Sequence, residues 1–167
     1  MSTRKLVRCG LVAALYVVLC MALQPLSFGA VQIRFAEALV LLPVFGAEYI
    51  AAAVLGCFLS NLLGSVLPDV IFGTLATLLA CLVTYKLRNF RVRGLALPAA
   101  VPPVLFNALI VGPEIAIFFS DTPVTLPLMV WNGVTVALGE VVACGVLGVA
   151  LVKLIESNPA LRKLFTE

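Results

Sequence analysis

The chain has 167 residues, of which 63% are hydrophobic and 11% charged, with a net charge of +3 and a mean hydropathy of +1.19. Soluble domains carry about 25% charged residues, so this chain has too little polar surface to cover an ordinary water-soluble core, and a lipid bilayer is its expected solvent. Histidine is absent and the five cysteines, Cys9, Cys20, Cys57, Cys81 and Cys144, form no CxxC pair; a zinc site is not expected, and the cysteines read as small apolar packers.

A helix needs about 20 apolar residues to cross the hydrocarbon core. On that criterion the chain reads as an all-α bundle of six segments forming one domain over residues 1–167. The first runs over Leu6–Leu23 and reads as a retained helix, not a cleaved leader. The second, Ala36–Phe45, is short and reads as a half-spanning or tilted helix. The third covers Tyr49–Leu67 and stops at Pro68, and the fourth covers Asp69–Tyr85. The fifth covers Leu97–Phe119 and the sixth Leu126–Leu154. There is no evident internal repeat, long linker or low-complexity tract.

Basic residues give the orientation. Arg4, Lys5 and Arg8 stand at the start of the first segment; Lys86, Arg88, Arg91 and Arg93 separate the fourth and fifth; Lys153, Arg162 and Lys163 close the chain. Six crossings put all three clusters on one side, which the positive-inside rule makes the cytoplasm, so both termini are expected there. Five crossings would split them. The longest external loop would then hold Gln24, Ser27, Gln32 and Arg34.

No GxxxxGK[ST] loop, dinucleotide fingerprint or HExxH motif is present. No nucleophile–base pair or metal-ligand set suggests an enzyme, and no cofactor is implied. Uphill movement of a solute would need a partner or an ion gradient.

Charged residues inside spans cost about 2.5–3.5 kcal/mol each on insertion scales and usually face the protein interior. Glu140 lies mid-way along the sixth segment, with Asn132 eight residues earlier and Trp131 beside it. Asn107 and Glu114 lie seven apart on the fifth, with Pro113 loosening the backbone between them. Asn61 lies near the external end of the third segment. Asp69 opens the fourth, where a helix cap is the plain alternative. Arg34 and Glu37 enter the second, where they could pair with each other. Glu140, Asn107, Trp131, Asp69, Asn61, Glu37, Arg34, Asn132 and Glu114 are the candidate ligand-binding residues. The carboxylates outnumber Arg34, which favours a ligand rich in hydrogen-bond donors or carrying positive charge; Trp131 and Phe72 could stack on a flat ring. Gly10 with Ala14, and Cys9 with Ala13, make small-xxx-small pairs on the first segment, suited to internal packing or to docking another membrane subunit.

The segments VQIRFAEALVLLP (Val31–Pro43), GCFLSNLLG (Gly56–Gly64), DVIFGTLATLLACLVTYKL (Asp69–Leu87), FNALIVGPEIA (Phe106–Ala116) and LGEVVACGVLG (Leu138–Gly148) resemble the QueT family in order along nearly the whole chain. The resemblance implies a six-helix substrate-binding subunit, or S component, of an energy-coupling factor (ECF) transporter in the bacterial plasma membrane. It implies capture of a 7-deazaguanine queuosine precursor, queuine or its aminomethyl precursor. It implies a transmembrane coupling subunit and two cytoplasmic ATPases as partners, with Gly10, Ala13 and Ala14 the nearest match to the family's docking residues. On this reading Glu140 accepts from the N–H and amino edge of the ring, Asn107 reads its carbonyl or ring nitrogens, Trp131 stacks, and Asp69 or Glu37 holds the cationic amine. Two alternatives remain at this level: an S component for another vitamin, and a stand-alone proton-coupled permease with Glu140 and Glu114 as relay groups.

Overall fold

A computed structural model describes residues 3–23 and 34–166 of the chain. The expected loop residues Gln24, Ser27 and Gln32 lie outside them. The described residues are helical, with no strand, and one isolated bridge joins Val92 to Leu95. Arg93 and Gly94, both at positive φ (52° and 74°), make the turn between them.

Seven helices follow one another among the described residues. α1 is Thr3–Ala22; α2 is Phe35–Val44, wound as a 3-10 helix; α3 is Glu48–Gly64; α4 is Leu67–Lys86; α5 is Leu97–Phe118; α6 is Leu126–Ser157; and α7 is Pro159–Thr166. α1, α4, α5 and α6 are long and apolar enough to cross a membrane, while α2 and α3 are shorter apolar helices. Proline explains the main shift from the expected boundaries. Pro68 does not end the third helix; it stands in the first turn of α4, as Pro98 and Pro127 do in α5 and α6. There the missing N–H costs nothing and the fixed φ suits a helix start. α3 therefore stops earlier, at Gly64.

α2 is the hub of the bundle. Every residue from Ala36 to Val44 is buried, because it touches α1, α3, α4, α5 and α6 and is apolar nearly all round. At about 2.0 Å per residue its ten residues reach about 20 Å, more than an α-helix of that length. Opposite it, α6 widens into π-helical turns over Val141–Gly148 directly after Glu140; such turns are rare and recur at functional sites.

Around this hub α1 packs on α3, α3 on α4, α4 on α5, and α5 on α6. The closest approach is between α5 and α6: a Cβ on Gly112 would stand 2.5 Å from the Gly133 Cα, so a side chain there must push the helices apart. α5 also runs unbroken through Pro102, Pro103 and Pro113. Pro103 supplies no N–H to the Ala99 carbonyl one turn back, and the Thr84 hydroxyl of α4 takes that carbonyl at 2.8 Å. This is how a helix out of water tolerates proline.

Leucines such as Leu62, Leu63, Leu109 and Leu138 stand more than half exposed on the outer surface, where only lipid suits them. One end of the bundle gathers the three basic clusters. There Lys5 pairs with Glu48 at 2.8 Å and Arg91 with Glu156 at 2.7 Å, and the Arg8 guanidinium donates to the Leu164 carbonyl. α7 was not anticipated from the sequence: eight residues are too few to read as a span, and its anchor, the Phe165 ring against Phe45 and Tyr49, is long-range.

Candidate functional site

The polar residues singled out in the sequence meet where α2 enters the bundle. Arg34, at the start of α2, donates to the Asp69 carboxylate at 2.8 Å and to the Asn61 carbonyl oxygen at 3.1 Å. Asn61 donates in turn to the Asp69 backbone carbonyl at 2.9 Å. The side chains of Arg34 and Asp69 are 8% and 2% exposed, so this is a desolvated ion pair fixed by hydrogen bonds. Asp69 is not a helix cap: α4 begins at Leu67 with no side-chain cap, and the carboxylate reaches back to Arg34. Gly73 makes room for this, since a Cβ there would lie 2.9 Å from both Asn61 Nδ2 and Asp69 Oδ1.

Deeper in, Glu37 accepts from the Tyr16 hydroxyl through Oε1. Glu140 accepts from the Cys144 thiol at 3.3 Å, and the same thiol lies 3.1 Å from the Glu37 carbonyl oxygen. One ligand atom from each of Glu37, Glu140 and Cys144 falls within 4.8 Å of the others. Three donors could hold a cation, and the adjacent carboxyl groups could equally receive hydrogen-bond donors from a ligand. Two carboxyl groups this close and out of water need a proton, a cation or donors between them. Glu37 Oε2 has no partner among the described residues, nor has either oxygen of Glu114. Glu114 is buried on α5 within electrostatic reach of Asp69 and Arg34.

Arg34, Asn107, Val111, Val136 and Glu140 line a small cavity of about 10 Å³, roughly the room one water needs. Asn107 spends its amide on the Pro103 carbonyl, one turn back, at 3.0 Å. Four buried carboxyl groups (Glu37, Asp69, Glu114 and Glu140) thus face one buried guanidinium, Arg34.

Two expected members stand elsewhere. Trp131 is 66% exposed. It lies nine residues before Glu140, half a turn round at about 100° per residue, so it faces outward and does not stack in this cavity. Asn132 is half-buried at the α5 contact, its backbone carbon close to Gly112 and its carbonyl accepting from the Thr135 hydroxyl at 2.9 Å. Phe72 stacks on Phe118, with ring centroids 5.9 Å apart.

Tyr16 and Cys144 were missed. Cys144 had a signal, four residues after Glu140 and so on its face. Tyr16 shares the inward face of α1 with Cys9, Ala13 and Cys20, but nothing local tells where its hydroxyl points. On the same helix the small pairs separate: Ala13 is buried with Cys9, whereas Gly10 and Ala14 face outward. Ala13 is therefore spent on internal packing and is not available to a partner.

The family model of the QueT transporter matches residues 6–157. The chain belongs to the QueT transporter family. A transporter family and several helices of spanning length make it a multi-pass membrane protein. The queuosine precursor transporter QueT of Lactococcus lactis subsp. cremoris (strain MG1363) is 42% identical over 79 residues, 46% of this chain and 47% of that protein. The chain thus spans about half the length of the curated relative it matches. No solved structure matches it significantly.

Proposed function

We propose that this chain is the S component of an ECF importer in the bacterial plasma membrane, and that it captures a 7-deazaguanine queuosine precursor from outside the cell. It works as a single domain over residues 1–167 that crosses six times, with α2 as the short second crossing. The basic end faces the cytoplasm, with both termini. α7, eight residues long with no buried residue, lies along the membrane surface. A transmembrane coupling subunit docks on the outward Gly10–Ala14 face of α1, and two cytoplasmic ATPases supply the energy.

One observation carries the ligand class: among the described residues, buried carboxyl groups are in excess over buried cations, and oxygens of Glu37 and Glu114 have no partner. Such a set calls for a ligand that brings several donors. A 7-deazaguanine offers an N–H beside an amino group, and Glu140 accepts both, with Glu37 alongside. Asn107 reads the ring carbonyl with the amide hydrogen that the Pro103 carbonyl does not take. Asp69 is engaged by Arg34 and positions that guanidinium, so the cationic amine of the aminomethyl precursor falls to Glu114. The name of the Lactococcus relative supports the same substrate class. Ligand pockets usually occupy about 300–1,000 Å³, far more than the present cavity, so helices around it separate to admit the ring.

Mass spectrometry of the small molecule retained by the purified protein tests the class; a different vitamin would overturn it. Glu140→Gln should weaken binding about 10- to 100-fold, the worth of a charge-assisted hydrogen bond, and unchanged affinity would remove Glu140 from the site. Transport by the chain alone in liposomes, driven by a pH gradient, would overturn the dependence on ATPase partners.

A further inference from the structure

Asn107, Val111, Glu114 and Phe118 follow one another along α5 at steps of four, three and four, so they share one face of the helix. The first two line the small cavity. Glu114 is buried further along, with neither oxygen partnered among the described residues. Phe118 is the last residue of α5, one turn or about 6 Å beyond Glu114. The stripe thus runs from the cavity to the end of the bundle opposite the basic clusters.

The Phe118 ring stacks on Phe72 of α4, with centroids 5.9 Å apart and planes at 29°. Phe72 is half-buried and Phe118 is 52% exposed. α4 runs toward the basic end, finishing at Lys86, and α5 runs away from it. Side chains tilt toward the N-terminus of their helix, so Phe118 leans back toward Glu114 and Phe72 leans out to meet it. The stack bridges α4 and α5 across the outer end of the stripe. Aromatic residues also anchor helices at a membrane surface, but that task favours Trp and Tyr, which bring a polar atom to the headgroups. Two phenylalanines bring none, and these two spend their faces on each other.

On the function proposed above, Glu114 holds the amine of the ligand. Whatever that nitrogen carries then projects into the turn of space that Phe118 occupies. Hydrogens need no further room there, whereas a ring needs the stack parted. We propose that Phe72 and Phe118 are selectivity residues, which limit the size of the group the ligand amine can carry and favour a primary amine over one bearing a ring. This role rests on the placement of the amine at Glu114.

Calorimetry on the full chain in detergent tests it, with the aminomethyl precursor and with queuine, whose amine carries a cyclopentenediol. The precursor should bind about tenfold more tightly, the order of an aromatic pair lost. An N-cyclopentyl derivative of the precursor, with the ring but no hydroxyls, should bind as weakly as queuine. Phe118→Ala and Phe72→Ala each remove half of the stack, and either should narrow the gap to about twofold. Should both fail to fold, Phe118→Leu keeps apolar bulk at the helix end without the stacking, and is expected to narrow the gap about threefold. Equal affinity of the wild-type chain for precursor and queuine would overturn the role. So would tight binding of the N-cyclopentyl derivative, which would make the hydroxyls the discriminating feature, or a loss of thermal stability in the variants with the gap unchanged, which would leave the pair as packing. Binding of none of the three ligands by the wild-type chain would overturn the substrate reading itself, and this role with it.

Discussion

Two sets of buried polar groups lie side by side in this bundle and differ in how far they are satisfied. In the first, Arg34, Asn61 and Asp69 close a network at 2.8–3.1 Å, in which Asp69 Oδ1, against Gly73, has no partner among the described residues. In the second, Glu37 and Glu114 keep buried oxygens with no donor among the described residues, and Glu140 has one thiol. An unsatisfied polar group out of water costs several kcal/mol. The first set repays its burial within the fold. The second does not, and a ligand that brings donors would complete it. The contrast separates scaffold from site more sharply than burial does, because all six residues are buried.

Removing the scaffold cation is the strongest way to break this comparison. Arg34→Met leaves Asp69 buried without its partner and should cost about 3–5 kcal/mol, read as thermal unfolding of the detergent-purified protein. A loss below about 1 kcal/mol would move Arg34 from scaffold to ligand site. Glu114→Gln probes the other side. Neither oxygen of Glu114 has a partner to lose among the described residues, so stability should hold within about 1 kcal/mol. Affinity for the aminomethyl precursor should fall about 10- to 100-fold, the worth of a hydrogen bond to a charged group, while a neutral 7-deazaguanine binds as before in calorimetry. Equal losses for both ligands would place Glu114 on the ring edge instead.

The helix contact beside the cavity is the next lever. Gly112→Ala drives a Cβ into the Gly133 backbone and should destabilise by about 1–3 kcal/mol, the usual cost of overpacking. Because Val111 and Val136 line the cavity between these helices, the same change should alter ligand affinity; a stability loss with unchanged affinity would show that opening occurs elsewhere. Thr84→Val, by contrast, frees the Ala99 carbonyl far from either polar set. It should cost about 1–3 kcal/mol, the penalty of one orphaned buried acceptor, and leave ligand affinity unchanged.

Most of the helices were legible because a membrane span is written in composition as a long apolar run; proline misled, since Pro68 was read as a stop and stands in the first turn of α4. The helical periods also brought Asn107 and Glu114 onto one face. What was not legible depends on partners distant in sequence. The sequence allowed Arg34 to meet Glu37, three residues away, but its hydrogen bonds run to Asp69 and Asn61, 35 and 27 residues on. Tyr16 reaches Glu37 across 21 residues. The 3-10 winding of α2 arises from burial on all sides by other helices, which no local propensity encodes. α7 lacks the length of a span and depends on contacts with the other end of the chain.

The smallest expected effect bears on how the site opens. Trp131 lies half a turn from Glu140 and is 66% exposed, so Trp131→Leu exchanges one outward apolar group for another. Stability should change by no more than about 0.5 kcal/mol, and ligand affinity should stay within about twofold by calorimetry. A tenfold loss would mean that α6 turns when ligand binds and brings Trp131 inward. The π-helical turns that begin at Val141 are the place such a rotation could be absorbed, because their hydrogen-bond register already departs from that of the helix on either side. The satisfied network would then act as a fixed frame, with Glu140 on the element that moves against it and Glu37 and Glu114 held on α2 and α5.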